Sequence, residues 1–290
     1  LDENKFIQKF HVVVMVGFMK RLVNFLVAPV ISIMRNRALI AELSKREVLG
    51  RYRGASFGLF WSIISPFLML LVYAFAFGSI LNSRWPQPAD TRDSFAIILF
   101  VGLIVHGFFA ECFTRAPTLV TNNASYVKKV IFPVEILPWP LIISALFHTL
   151  MNVVVLIVLR LVVDQSFSLG FIFLPLILLP LVILMVGLGW FLSALGVYIR
   201  DISQVTGVLS TALLFTSSAV VPPSAVPEKY QFVFSINPLT FVIDQARAVA
   251  LWGEMPNWSG LLIYTLVSVV FALIGYAWFS ATRRGFGDVL

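Results

Sequence analysis

Between Asp164 and Arg200 the chain runs for 35 residues, Gln165–Ile199, without one charged side chain. A helix crossing a hydrocarbon core about 30 Å thick needs about 20 apolar residues. In lipid its backbone polar groups must also be satisfied within the helix itself. No other feature constrains the fold as tightly. Five more uncharged windows accompany it: Gly54–Ser83, Ser94–Ala110, Ile136–Leu159, Ile202–Pro227 and Met255–Thr282. Together they predict an all-α polytopic membrane protein with six transmembrane helices, at about residues 57–81, 94–115, 136–160, 171–199, 202–222 and 257–282. The composition agrees, with 59% apolar and 12% charged residues, against roughly 45–50% and 25% in soluble domains.

In a soluble chain the net charge of +7 would suggest nucleic acid. Here it is the Lys/Arg excess expected on the cytoplasmic side of a membrane protein. Ten Lys/Arg precede Gly54, and with both termini inside, Arg115, Lys128, Lys129, Arg200, Arg283 and Arg284 join them. Arg84, Arg92, Arg160, Lys229 and Arg247 are left outside. An odd number of spans would put Arg283 and Arg284 outside, against the rule. The expectation is a multi-pass protein of the cytoplasmic (inner) membrane. The single Cys112 cannot form an intrachain disulfide. The apolar run Val12–Met19 is short and ends at Lys20-Arg21, unlike a cleavable signal peptide.

Residues 1–53 form an N-terminal membrane-surface segment and 54–290 the six-span domain. Phe10–Met34 is apolar but carries Lys20 and Arg21 at its middle, at a cost of about 2.5–3.5 kcal/mol each in a bilayer centre. Helical segments lying on the surface suit it better. In the charged stretch Asn36–Arg53, Leu39, Ile40 and Leu43 share one helical face. Val48 and Tyr52 fall nearly opposite, which leaves a bend near Ser44–Glu47 open.

Two connections carry more structure than a linker. Asn122-Asn123 is placed to cap a short helix Ala124–Phe132, which Pro133 would stop. Pro222–Glu254 is too polar and proline-rich to cross, yet too apolar for a solvated loop. Within it Asn237 is a good N-cap, Pro238 a good first helical residue and Gly253 a good stop. Leu239, Val242, Ile243, Ala246, Val249 and Ala250 share one face, and Asp244 and Arg247 the other. A shorter helix is expected before it, around Pro227–Ser235.

No Gly precedes a Lys, so the chain has no P-loop for ATP. One Cys and three scattered His argue against a metal site. The spans hold no Asp, Glu, Lys or Arg in their central parts, unlike ion-coupled carriers. His106 and His148 are neutral imidazoles hydrogen-bonded between helices or members of a proton relay. His148 and Asn152, four apart, suit helix–helix hydrogen bonding. A membrane enzyme would group its acid/base residues at one face, whereas Asp90, Asp93, Glu111, Glu135, Asp201 and Asp244 are scattered over both. Gly187, Gly189, Ser193 and Gly196 indicate close helix packing. Aromatics crowd the first span: Phe57, Phe60, Trp61, Phe67, Tyr73, Phe75 and Phe77. They are platforms for sugar rings or plain lipid-facing packing.

Several strings resemble the membrane subunit of polysaccharide-exporting ABC transporters, the family that exports O-antigen, capsule and teichoic-acid chains. They are Lys45-Arg46-Glu47 with Arg51-Tyr52-Arg53-Gly54, Ser56-Phe57-Gly58, Trp61 and Pro66. The run from Asn122 through Tyr126-Val127-Lys128-Lys129-Val130 to Phe132-Pro133-Val134-Glu135-Ile136-Leu137-Pro138 is similar to that family's cytoplasmic loop. Arg200-Asp201-Ile202 is similar to its turn between spans four and five, and Asn237-Pro238 and Arg247 to its outer-face segment. Order and spacing match over roughly residues 40–285.

The resemblance implies a six-span permease working as a homodimer, with two copies of a separate ATPase subunit that bind ATP and Mg. No cofactor is implied in this chain, and no enzyme activity. It further implies a surface helix at Asn36–Arg53, a coupling helix at 123–132 and outer gate helices at 222–253. The expected contacts to the ATPase are Asn123, Tyr126, Lys128, Lys129, Phe132 and Glu135. The gate is expected at Pro222, Asn237, Pro238 and Arg247, and the glycan path at Phe57, Phe60, Trp61, Phe67, Tyr73 and Phe77. Arg51 and Arg53 would meet the pyrophosphate of an undecaprenyl-type carrier or ordinary membrane lipid phosphate. Lys128 and Lys129 serve docking or only the charge rule. An ABC exporter of a drug or simple lipid, and a membrane-embedded glycosyl- or acyltransferase, are the alternatives.

Overall fold

The computed structural model describes residues 28–29, 31–80, 85–86, 94–128, 132–164 and 168–290. Most of the apolar leader, Arg84, Arg92 and Lys129 therefore lie outside the described residues. Helix α1 is Arg37–Arg51 and α2 Trp61–Tyr73, the latter extended by wider turns over Ala74–Ile80. Then come α3 (Phe95–Arg115), α4 (Pro138–Leu159), α5 (Leu174–Tyr198) and α6 (Ile202–Phe215). Beyond them lie α7 (Glu228–Ile236), α8 (Pro238–Ala250) and α9 (Trp258–Thr282).

Among the described residues, five helical stretches are long and apolar enough to cross a membrane: Gly58–Phe77, Phe95–Thr118, Val134–Val162, Leu169–Tyr198 and Trp258–Val289. The expected span at 202–222 differs. Its helix α6 has 14 residues, about 21 Å at 1.5 Å each. It ends where Thr216-Ser217-Ser218 turn their hydroxyls onto nearby backbone: Thr216 donates to the Ala212 carbonyl and Ser217 to that of Leu214. An uncharged window is thus not a continuous helix.

Helix α1 runs uninterrupted through Ser44–Glu47, and Ser44 donates to the Ile40 carbonyl one turn back on its buried face. The chain then reverses into α2 through Gly54 and Gly58, whose φ values of +88° and +48° favour glycine. The helix α9 lies along α5, α3 and α2 pack on α4, α1 also rests on α4, and α6 and α8 pack on α3. The α5–α9 contact has almost no spacer: a Cβ at Gly187 would meet Ala272 Cα at 2.5 Å, and one at Gly275 would strike the Gly187 carbonyl. Close backbone approach at small residues is how helices gain dispersion contact in lipid. The buried core runs through α3, α5 and α8.

Of the connection expected as a helix over 123–132, residues 129–131 lie outside the described residues. A 3-10 turn at Thr121–Asn123 leads into a single α-turn, Ala124–Val127. Asn123 does not cap it with its side chain but donates back to the Leu119 carbonyl at 2.8 Å.

Candidate functional site

The helix α8 follows the local chemistry of its ends. Asn237 accepts from the Leu239 amide at 2.9 Å, Pro238 opens the helix, and Gly253 lies beyond its end at φ +68°. Leu239, Val242, Ile243, Ala246, Val249 and Ala250 are all buried. Asn237 also donates to the Leu213 carbonyl at 2.9 Å and to Thr216 Oγ1 at 3.1 Å, tying α8 to the end of α6. Pro222 precedes a short 3-10 turn at Pro223–Ala225.

Arg247 corrects the expectation that it shares an exposed face with Asp244. It is 1% exposed, the largest fully buried side chain among the described residues. A buried charge has to be paired or fully hydrogen-bonded. Its guanidinium donates to three carbonyls, those of Ile98 (2.9 Å), Ser218 (2.6 Å) and Ala219 (2.9 Å), and lies 4.2 Å from the Trp85 ring centre. Asp244 stands 3.8 Å away. Burial pushes the Arg247 pKa down to about 10, opposed by Asp244, so the group stays cationic at neutral pH. Gly102 makes room, since a Cβ there would lie 2.6 Å from Arg247 Nη2 and 2.8 Å from the Ala219 carbonyl. Arg160 serves the other end of α8, donating to the Leu251 carbonyl at 3.1 Å.

A cavity of about 420 Å³ opens between α2, α3 and α4. The helix α2 lines it with Trp61, Ser62, Ser65, Pro66, Met69 and Tyr73, a single stripe at helical spacing. The helix α3 gives Phe100, Leu103, Ile104, Gly107, Phe108 and Glu111, and α4 gives Ala145, His148, Thr149 and Asn152. Arg51 and Tyr52 close its mouth.

The charged groups meet there. Glu111 lies 2.7 Å from Arg51 Nη1, 3.3 Å from Arg115 Nη1 and 2.9 Å from His148 Nδ1. Arg115 also pairs with Glu47, and His148 Nδ1 is 3.0 Å from Arg51 Nη1. The Tyr52 ring stands edge-on to His148 at 5.9 Å. Burial pushes the Tyr52 phenol above its ordinary pKa, opposed by Arg51 and assisted by Glu111. An aromatic wall, small hydroxyls and an amide, with the Arg51 guanidinium in the same lining, suit an amphiphile with sugar-like and anionic parts.

The expected site residues divide. Of the six path aromatics, Trp61 and Tyr73 line the cavity. Phe57, Phe60 and Phe67 are exposed on the outside of the chain. Phe77 instead stacks on Phe95 at 5.3 Å, because the wider turns from Ala74 onward shift it off the stripe. Arg51 is at the cavity mouth, whereas Arg53 is exposed and outside its lining.

Of the expected docking residues, Tyr126 stacks on Phe132 at 4.8 Å and accepts from Arg46 at 2.7 Å. Lys128 ends the short helix, and Lys129 lies outside the described residues. Glu135 is tied inward, accepting from Ser32 at 3.3 Å and pairing with Arg283 at 3.4 Å. Glu111 and Arg115 did not emerge as site residues from the sequence. Their one signal was a carboxylate one turn inside a span, four residues before an arginine.

The chain is similar to curated permeases over nearly its whole length. It is 23% identical over 254 residues to the O-antigen export system permease protein RfbA of Myxococcus xanthus, covering 87% of this chain and 95% of that protein. For the protein of the same name from Klebsiella pneumoniae the figures are 23%, 87% and 95%. For the polysialic acid transport protein KpsM of Escherichia coli they are 26%, 83% and 92%. The family model described as ABC-2 type transporter matches residues 38–251, so the chain belongs to the ABC-2 type transporter family.

Proposed function

We propose that the chain is the channel-forming transmembrane subunit of an ATP-driven exporter of lipid-linked polysaccharide, of O-antigen type. Family membership makes it a transport subunit and not an enzyme, with ATP hydrolysis in a separate partner. The similarity to O-antigen and polysialic acid permeases supports a glycan cargo. The observation that carries the reading is the cavity between α2, α3 and α4, where Trp61 and Tyr73 share the lining with Arg51. A sugar ring offers C–H groups to aromatic faces, and a carrier's diphosphate offers oxygens to guanidinium groups.

In this reading two copies of the chain work with two copies of the ATPase in the inner membrane, both termini cytoplasmic. Residues 1–53 then lie on the membrane surface and 54–290 form the spans. The short helix α6 and the segment after it complete a sixth crossing. The stretch around Asn123, Tyr126, Lys128, Lys129 and Phe132 receives the ATPase's closure. Helices α7 and α8, with Pro222, Asn237, Pro238 and Arg247, form the outer gate. An undecaprenyl-type carrier delivers its diphosphate to Arg51, and ATP-driven closure of the partner moves the glycan outward.

Deleting the gene in its source organism tests this reading. Extraction with surface labelling should find full-length lipid-linked glycan inside and none at the surface. Loss of all polymer would instead indicate a synthetic enzyme, and normal surface glycan a drug or simple-lipid exporter.

A further inference from the structure

Arg51 and Glu111 belong to two spaces at once. They line the 420 Å³ cavity described above and also a second pocket of about 520 Å³, whose other residues are Arg46, Glu47, Gly50, Thr114 and Arg115. The Arg51–Glu111 pair is therefore the wall between the two. Three guanidinium groups face the second pocket against two carboxylates. With Glu111 in place, Arg51 and Arg115 are both engaged at 2.7 and 3.3 Å, and Arg46 is turned to the Tyr126 hydroxyl.

We propose that Glu111 is a built-in counter-anion, its carboxylate standing where a phosphate or diphosphate head group is held when the site is loaded. Glu111 is the buried member of the cluster, its side chain 14% exposed against 52% for Arg51 and 42% for Arg115, so the carboxylate is the group that needs its charge matched. Glu111 occupies both Arg51 and Arg115, so an arriving anion has to displace its carboxylate to reach them. The exchange opens the wall, because the pair that is broken is the partition itself. The displaced carboxylate keeps a partner in His148 Nδ1, now 2.9 Å from Oε2. Since Glu111 competes for the same arginines, it also lets the head group leave. Glu111 is thus a positioning residue, and this inference rests on the export reading while naming the group recognised.

The test uses the permease with its ATPase in nanodiscs, titrated with farnesyl diphosphate, farnesol and inorganic pyrophosphate. Glu111→Gln, which keeps the shape and removes the charge, should bind farnesyl diphosphate about tenfold tighter than the unaltered protein, with farnesol unchanged. Adding Arg51→Ala should abolish the gain. An equal gain for pyrophosphate identifies a free anion as sufficient, and a gain confined to the prenyl compound identifies a lipid head group; both support the exchange. Unchanged or weaker binding by an assembled Glu111→Gln complex overturns it.

If that variant does not assemble, the unaltered protein decides. Saturating farnesyl diphosphate should increase carbodiimide–amine labelling of Glu111, and unchanged labelling overturns the proposal. Either failure leaves the export reading intact, because that is judged from surface glycan in the deletion strain.

Discussion

Arg247 Nε donates to the carbonyl of Ile98 at 2.9 Å, joining residues 149 positions apart in the chain. The bond fixes α8 to the first turn of α3, and the same guanidinium holds the Ser218 and Ala219 carbonyls beyond the end of α6. A single side chain thereby determines where three elements meet. Leaving each buried acceptor unsatisfied costs about 1–3 kcal/mol. Arg247→Ala should lose about 3 kcal/mol or more. Arg247→Lys should recover little of it, because an ammonium lacks the planar fork that spans three carbonyls. Thermal stability of the purified complex checks this, and full stability in the Lys variant contradicts it.

Asn237 does two jobs that substitution separates. Its carbonyl oxygen caps α8, and its amide donates to Leu213 and Thr216. Asn237→Ser keeps a capping oxygen and loses the tie to α6, whereas Asn237→Ala loses both. The Ala variant should lose about 1 kcal/mol more. Hydrogen exchange at the Leu239 amide should stay protected with Ser and quicken with Ala.

The α5–α9 contact is intolerant of volume. Gly275→Ala places a methyl against the Gly187 carbonyl, and assembled protein should fall severalfold in yield. Gly207→Ala, on α6 with nothing within 4 Å of its added carbon, should be neutral or stabilising by up to about 1 kcal/mol. Size-exclusion profiles in detergent compare the two.

Among the aromatics, cavity position and not residue type should decide the effect on transport. Trp61→Ala should cut surface glycan severalfold at normal protein abundance. Phe60→Ala, at a residue that is 72% exposed, should leave export near normal. Equal losses in both would place the path elsewhere.

Which features could be read from the sequence follows from the range of the forces involved. Asn237, Pro238 and Gly253 announce α8 because caps and stops act within a few residues. The spans show because lipid forbids charge along a whole helix. The length of α6 stayed hidden, since Thr216-Ser217-Ser218 are uncharged and the Ser218 and Ala219 carbonyls beyond the helix end are held by Arg247, 29 and 28 residues further on. Arg247 was misassigned for the same reason: its acceptors lie far away in sequence, and spacing within α8 gives no sign of them. At the cavity the aromatic richness of α2 was visible, but not which rings point inward. Ser62 and Ser65 held that information, sharing a stripe with Trp61 and Tyr73.

In the proposed function, this chain conducts a lipid-linked glycan when its ATPase partner turns over. Reconstituting the two subunits in sealed vesicles with outward-facing nucleotide sites, and adding lipid-linked glycan and ATP, measures it most directly. ATP-dependent protection of the glycan from an external glycosidase is expected, reduced by Trp61→Ala. Glycan that stays fully digestible while ATP is hydrolysed would contradict it.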